Sequence, residues 1–259
     1  NIFNLPTVAY SGEIDSQKQA VDIMAEALKK GGIELTHIIG PKTGHSIHAQ
    51  SKLEIEERMK SLARHGRERR PQHTVFTTYT LRYNRMHGVT VDAMEEQWSK
   101  AYVSAITFLE EVHLQTKGVR ALTLSLAAGE ATSTMFIPVT IQIDDQELKG
   151  PPPQSDRSWS VSLHRVDGKW QLGKQPDEGL RKKHGLQGPI DDAFLDRFIF
   201  VKPTRKAWHE LSGKWSAAEL ERAIEHWRRH FRGIAQVKDD TAITPEDIAS
   251  GNLVLWGEP

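Results

Sequence analysis

YSGEIDSQKQAVDIMAEALKKGGIELTHIIGPKTGHS, residues 10–46, decides how the first part of this chain folds. It opens on the end of an apolar run over 5–10, which reads as a strand, and turns at Ser11-Gly12. Asp15 follows, and then a helix is expected over 16–30. Ala20, Ile23, Met24, Ala27 and Leu28 recur there at helical spacing, Asp15 or Ser16 is placed to cap the start, and Gly31-Gly32 is placed to stop it. A second apolar run over 34–39 turns at Gly40-Pro41 and places His45 behind Gly44. A further helical pattern occupies 46–66, with Leu53, Ile55, Met59, Leu62 and Ala63 broadly on one face. Strand, helix, strand, helix in this tempo implies parallel strands.

Parallel neighbours put both post-strand loops on one rim of a sheet, where open α/β sheets gather functional groups. Asp15 and His45 each stand just past a strand end, separated by one helix, one strand and two turns. A carboxylate that accepts the imidazole Nδ1–H fixes the tautomer and stabilises the imidazolium. The other ring nitrogen is then free to take a proton from a hydroxyl. The competing reading is a helix-capping aspartate and an unconnected loop histidine, and Glu13 is a substitute for the acid.

The residues outward from this stretch change character twice. Residues 64–73, RHGRERRPQH, read as a charged linker rather than a nucleic-acid patch, because they carry no aromatic residue. Residues 74–173 are rich in Thr, Val, Tyr, Phe and Trp, with strand-like segments at 74–84, 101–109, 119–126, 135–144 and 158–173. Asp167-Gly168 marks a hairpin turn. This pattern predicts an antiparallel sandwich. Residues 190–259 return to α/β, with a strand at RFIFVKPT, an amphipathic helix over 216–233 and a closing strand in NLVLWGEP. Ser216 reads as the N-cap of that helix and Gly233 as its C-cap. The expected division is therefore 1–70 (α/β), 71–175 (β-rich) and 176–259 (partial α/β), an α/β and β composite.

Composition narrows the function classes. Among 259 residues, Lys+Arg and Asp+Glu both number 34, so the balanced charge gives no electrostatic footprint for nucleic acid. No apolar run approaches the roughly 18 residues that span a bilayer. The absence of cysteine excludes disulfides, thiolate nucleophiles and thiolate zinc sites, and leaves the compartment open. No cofactor or metal is implied. His226 and His230 stand at i, i+4 spacing, but Trp227 takes the place where a zincin helix carries Glu. Asp191-Asp192 and Asp239-Asp240 read as caps rather than cation ligands. GPKTGHS fails as a phosphate loop, with too few residues between its glycines and His45 where Lys is required. Trp159 and Trp170 read as core, with a sugar-stacking platform as the alternative.

The Gly12–Asp15 loop, the helix QAVDIMAEALKK and the Gly44-His45 loop together resemble the C-terminal end of a prolyl oligopeptidase-type α/β-hydrolase domain, over about residues 5–60. GPIDDAF, WRRHFRG and NLVLWGEP resemble a C-terminal extension found in some large bacterial hydrolases of this type. The resemblance implies a serine hydrolase acting on a peptide or ester bond, with Asp15 as the triad acid and His45 as the general base. The family's nucleophile motif, G-x-S-x-G, is absent, and LSGKW at 211–215 does not fit it. The expectation is therefore a fragment whose serine and oxyanion hole lie upstream of Asn1, and which is inactive alone. The rival expectation is a non-catalytic module for carbohydrate or protein binding that carries a hydrolase remnant.

Overall fold

The computed structural model describes residues 1–66, 68–132, 136–177 and 179–257. Arg67 of the expected linker, Met135 at the head of the expected 135–144 strand and the closing Glu258-Pro259 lie outside them. The fold is mixed α/β and sheet-rich, with antiparallel sheets prominent. The chain forms two compact units, Asn1–Gly185 and Leu186–Pro259.

The first unit begins with a 3-10 turn, Ile2–Asn4, and then β1 (Val8–Gly12), α1 (Lys18–Lys30), β2 (Thr36–Gly40) and α2 (Ala49–His65). β1 and β2 pair in parallel, with Val8 opposite Thr36 and Gly12 opposite Gly40. The inward face of α1 differs from the expected one. Val21, Ala25 and Leu28 are half-buried, whereas Ala20, Ile23, Met24 and Ala27 are exposed. Neither Asp15 nor Ser16 is the N-cap of α1: that position is Gln17, whose own side chain makes no capping hydrogen bond. On α2, Leu53, Met59 and Leu62 are also exposed. A two-stranded sheet with helices that turn apolar side chains outward has little core of its own.

The sandwich follows in ten strands: β3 (His73–Thr78), β4 (Arg85–Met86), β5 (Val89–Met94), β6 (Ala101–Thr107), β7 (Glu111–Lys117), β8 (Val119–Leu126), β9 (Thr140–Ile143), β10 (Gln146–Lys149), β11 (Trp159–Val166) and β12 (Lys169–Leu172). One sheet runs β10-β9-β7-β6-β3 and the other β12-β11-β8-β5-β4. The pairing is antiparallel except between β7 and β9, which are parallel. Inward residues alternate along the strands as a half-buried sheet requires. Phe76, Val103, Leu114 and Ile141 of one sheet join Val91, Leu122, Leu163 and Trp170 of the other in a single core. The chain passes between the sheets at Gly118, where φ is +68° and a Cβ would press on the Lys100 carbonyl oxygen. The Asp167-Gly168 turn joins β11 to β12 as expected, both residues having positive φ. The N-terminal turn covers the edge strand β3. Asn4 Oδ1 accepts from the Val75 N–H at 3.0 Å, Asn1 Oδ1 accepts from the Thr77 N–H at 2.9 Å, and both amide groups donate back to the carbonyls of the same residues. Side-chain amides here take the place of a further strand.

The second unit is a parallel sheet, β14-β13-β15, formed by β13 (Phe198–Lys202), β14 (Gln236–Asp239) and β15 (Asn252–Leu255), with α3 (Glu210–Phe231) and α4 (Pro245–Ser250). β13 is central and is buried from Phe198 to Val201, the continuous apolar run of a parallel strand covered on both faces. Helix α3 starts six residues earlier than the sequence reading places it. Ser216 is consequently a buried mid-helix residue, and Arg232, not Gly233, takes the left-handed C-cap. Asp247 ties this unit together. It forms a capping box with Thr244 and accepts from Lys238 Nζ at 2.6 Å and Arg197 at 3.1 Å. The Lys238 hydrogen bond, then the Thr244 backbone N–H and Arg197, hold its carboxyl far below the ordinary value near 3.8. The pKa is depressed in the folded state, so the stabilisation is complete above that ordinary value and is lost as pH falls below it. In urea titrations of the full chain, the midpoint read from Ile199 and Val254 methyl signals is expected to hold down to about pH 4 and to fall below it. Asp247→Asn is expected to lower the midpoint at neutral pH and to flatten its acid dependence.

Candidate active site

The register of β1 and β2 brings Gly12 and Gly40 side by side, so the loops that follow leave the same rim of the sheet. They cross at close range. The Glu13 N–H donates to the Gly40 carbonyl at 2.8 Å, and the Ile14 N–H to the Thr43 carbonyl at 3.1 Å. A methyl group at Gly12 would overlap the carbonyl oxygens of Thr43 and Gly44. At Gly40 it would overlap the Tyr10 hydroxyl. At Gly12 the obstacle is the backbone of the second segment, so the position requires glycine, whereas at Gly40 the nearest atoms belong to the side chains of Tyr10, Thr43 and His48.

Within this crossing, the Gln17 N–H donates to Asp15 Oδ1 at 2.8 Å, which fixes the carboxylate on its own turn. The other oxygen, Oδ2, lies 3.1 Å from His45 Nδ1. The Gln17 N–H foremost, and the hydrogen bond and charge of His45 after it, hold the Asp15 carboxyl below the ordinary aspartate range against the opposing effect of desolvation. The side chain of Asp15 is 11% exposed and that of His45 79% exposed. The acid is thus set into the protein and the imidazole stands out from it. His45 Nε2 has no hydrogen-bond partner among the described residues.

The histidine loop is braced by residues that sequence reasoning did not single out. The Tyr10 hydroxyl donates to the Ser46 carbonyl at 2.9 Å and accepts from the His48 N–H at 2.8 Å. Thr43 Oγ1 donates to the Gly40 carbonyl at 2.8 Å. Glu13, the alternative acid, points elsewhere: its carboxylate accepts from the Lys42 N–H at 2.8 Å. Tyr10 belongs to an ordinary strand pattern, so only the loop it reaches, more than thirty residues on, discloses its role.

A second Ser–His–Asp grouping lies nearby. Ser11 Oγ is 2.6 Å from His37 Nε2, and His37 Nδ1 is 3.9 Å from Asp22. The latter distance is too long for a hydrogen bond, and both Asp22 oxygens are held by Lys18 Nζ. Ser11 is 6% exposed, which leaves its hydroxyl no path to a substrate carbonyl. This grouping is a packed polar contact between strands.

The remaining candidates are dispersed. Trp159 and Trp170 are buried, their indole N–H groups donating to the Pro151 carbonyl and to Asp144, so neither offers a stacking platform. The His226 and His230 rings lie 5.6 Å apart on α3. No cluster of three or more His, Asp or Glu side chains fit to hold a metal occurs among the described residues. Asp240 is occupied by Thr204. No described helix is long and apolar enough to cross a membrane. Comparison of the chain with models of protein families, with curated proteins and with solved structures returns no match.

The geometry fixes a tautomer: the neutral His45 imidazole is expected to carry its proton on Nδ1, donated to Asp15. Nitrogen-15 NMR of the histidine rings tests this. Asp15→Ala and Gly12→Ala are each expected to abolish the preference at His45, the first by removing the acceptor and the second by forcing the loops apart.

Proposed function

We propose that Asp15 and His45 are the acid and base of a serine hydrolase triad of prolyl oligopeptidase type, acting on a peptide or ester bond. The observation that carries this reading is the oriented pair itself: a fixed carboxylate on Nδ1, and Nε2 turned to solvent at the rim of parallel strands. In the reaction, His45 Nε2 takes the proton of a serine hydroxyl as the oxygen attacks the carbonyl carbon. It then returns the proton to the leaving amine or alcohol. Asp15 holds the ring in the tautomer that leaves Nε2 free and stabilises the imidazolium that forms.

G-x-S-x-G does not occur in these 259 residues, so this reading draws the nucleophile and the oxyanion-hole donors from a further segment joined to them. The α/β part of the chain is suited to such an arrangement. Among the described residues the β1–β2 sheet has two strands, and Ile23, Met24, Ile39, Leu53 and Met59 turn apolar side chains outward, as they would toward further strands and helices of a larger sheet. Of the rival reading, a carbohydrate- or protein-binding module, the carbohydrate form is weakened because both candidate tryptophans are buried.

Kinetics on the polypeptide that joins these residues to a nucleophile segment test the proposal. With a p-nitrophenyl ester and a peptide anilide as substrates, His45→Ala is expected to lower kcat by roughly 10³-fold or more, and Asp15→Asn by a comparable factor. The 259 residues alone are expected to give no turnover above background. Unchanged hydrolysis in His45→Ala overturns the assignment.

A further inference from the structure

The sandwich holds a cavity of about 360 Å³ at one end. The strand registers define that end: the starts of β3, β5, β7, β9 and β11 and the finishes of β6 and β8 all meet there. Part of its wall is apolar and comes from both sheets, with Val89, Val112, Leu124, Val139 and Trp159 all buried, while Thr74, Thr107 and Ser125 add hydroxyl groups to the lining. Trp159 contributes only its ring, because its N–H is spent on the Pro151 carbonyl at 2.8 Å. Protein interiors are normally filled to crystal-like density, so an open, partly apolar space between two well-packed sheets is a feature in need of an occupant.

The rim has a different chemistry. Arg69, Arg70 and Arg85 border the cavity, with Glu130 as the acidic residue among its lining. None of the three arginines forms an ion pair with a carboxylate among the described residues. Arg70 is held in place by the Glu130 carbonyl oxygen and by Thr132 Oγ1. Arg85 Nε reaches only the His87 carbonyl, at 3.3 Å. The Glu130 carboxylate accepts from the Ala127 N–H at 2.8 Å. Glu68, Glu110 and Glu111 line an adjoining, more open depression that shares Arg70, Thr107, Phe108, Leu109 and Thr132 with this cavity. Among the cavity's own lining residues, three arginines stand against the one carboxylate of Glu130, which leaves a net positive rim over the apolar side chains within. Guanidinium groups in that position have donors to spare for a planar anion, and their hydrogen bonds to one are charge-assisted.

We infer that this end of the sandwich binds an amphipathic monocarboxylate, with its aliphatic or aryl tail among Val112, Leu124, Val139 and Trp159 and its carboxylate on the arginine rim. The volume falls within the range of small-molecule sites, and the division of apolar wall from cationic rim matches that one class of ligand.

Titration of the full chain with decanoate, decanol and acetate tests the inference, followed by the methyl signals of Val112, Leu124 and Val139 and by calorimetry. Decanoate is expected to move these methyls saturably. Decanol is expected to bind at least about tenfold more weakly, and acetate not to move them. The double variant Arg69→Gln/Arg85→Gln changes only the rim and leaves the core intact. It is expected to weaken decanoate by roughly tenfold or more and to bring decanoate and decanol to parity. The inference is overturned if decanoate leaves the methyls unmoved, if decanol binds as well as decanoate, or if the double variant keeps the native affinity.

Discussion

Two backbone loops pass within contact distance at Gly12 and Gly40, and the geometry of the candidate site depends on that approach. With glycine at both positions, the Glu13 and Ile14 N–H groups reach the Gly40 and Thr43 carbonyls, and the loops lock together. The same crossing sets Asp15 at hydrogen-bonding distance from His45. A side chain at Gly12 would separate the two loops, however well each folded on its own. The Tyr10 hydroxyl and Glu13 carboxylate add side-chain ties across the same gap. An exposed imidazole gains fixed geometry in this way without being buried.

The two parts of the first unit stand on different footings. The sandwich supplies a continuous core from both sheets, including residues with no exposed surface such as Val91, Val103, Leu122 and Ile141. The β1–β2 pair and its helices do not, since α1 contains no buried residue and α2 only Ser51. Hydrophobic burial is the dominant favourable term in folding, and here it is concentrated in the strands after residue 73. The N-terminal asparagines join the two parts by pairing with the edge of β3.

Much of this was legible in the sequence where local rules act alone. The alternation of strand and helix before residue 66, the Asp-Gly hairpin and the apolar run of β13 all follow from period and turn chemistry. The placement of Asp15 and His45 past successive strands was legible for the same reason. β7 was not, because Glu111, His113 and Gln115 on its solvent side mask the inward Val112 and Leu114. The parallel pairing of β7 with β9 is a long-range choice that neither strand encodes. The inward face of α1 was misread because the helix has two apolar sides and the sequence does not rank them. Ser216 looked like a cap by composition, but a helical register set by packing runs through it. The cavity of the sandwich was invisible for a related reason: its wall is assembled from strands far apart in the chain.

The central claim is that His45 activates a serine held outside these residues. Labelling with a fluorophosphonate, which reacts covalently with activated serines, tests it most directly when the adduct is located by peptide mass spectrometry. The account predicts an adduct on a serine in a Gly-x-Ser-x-Gly segment joined to this chain, and its loss in His45→Ala. Labelling that survives in His45→Ala, or an adduct on Ser11, would contradict it.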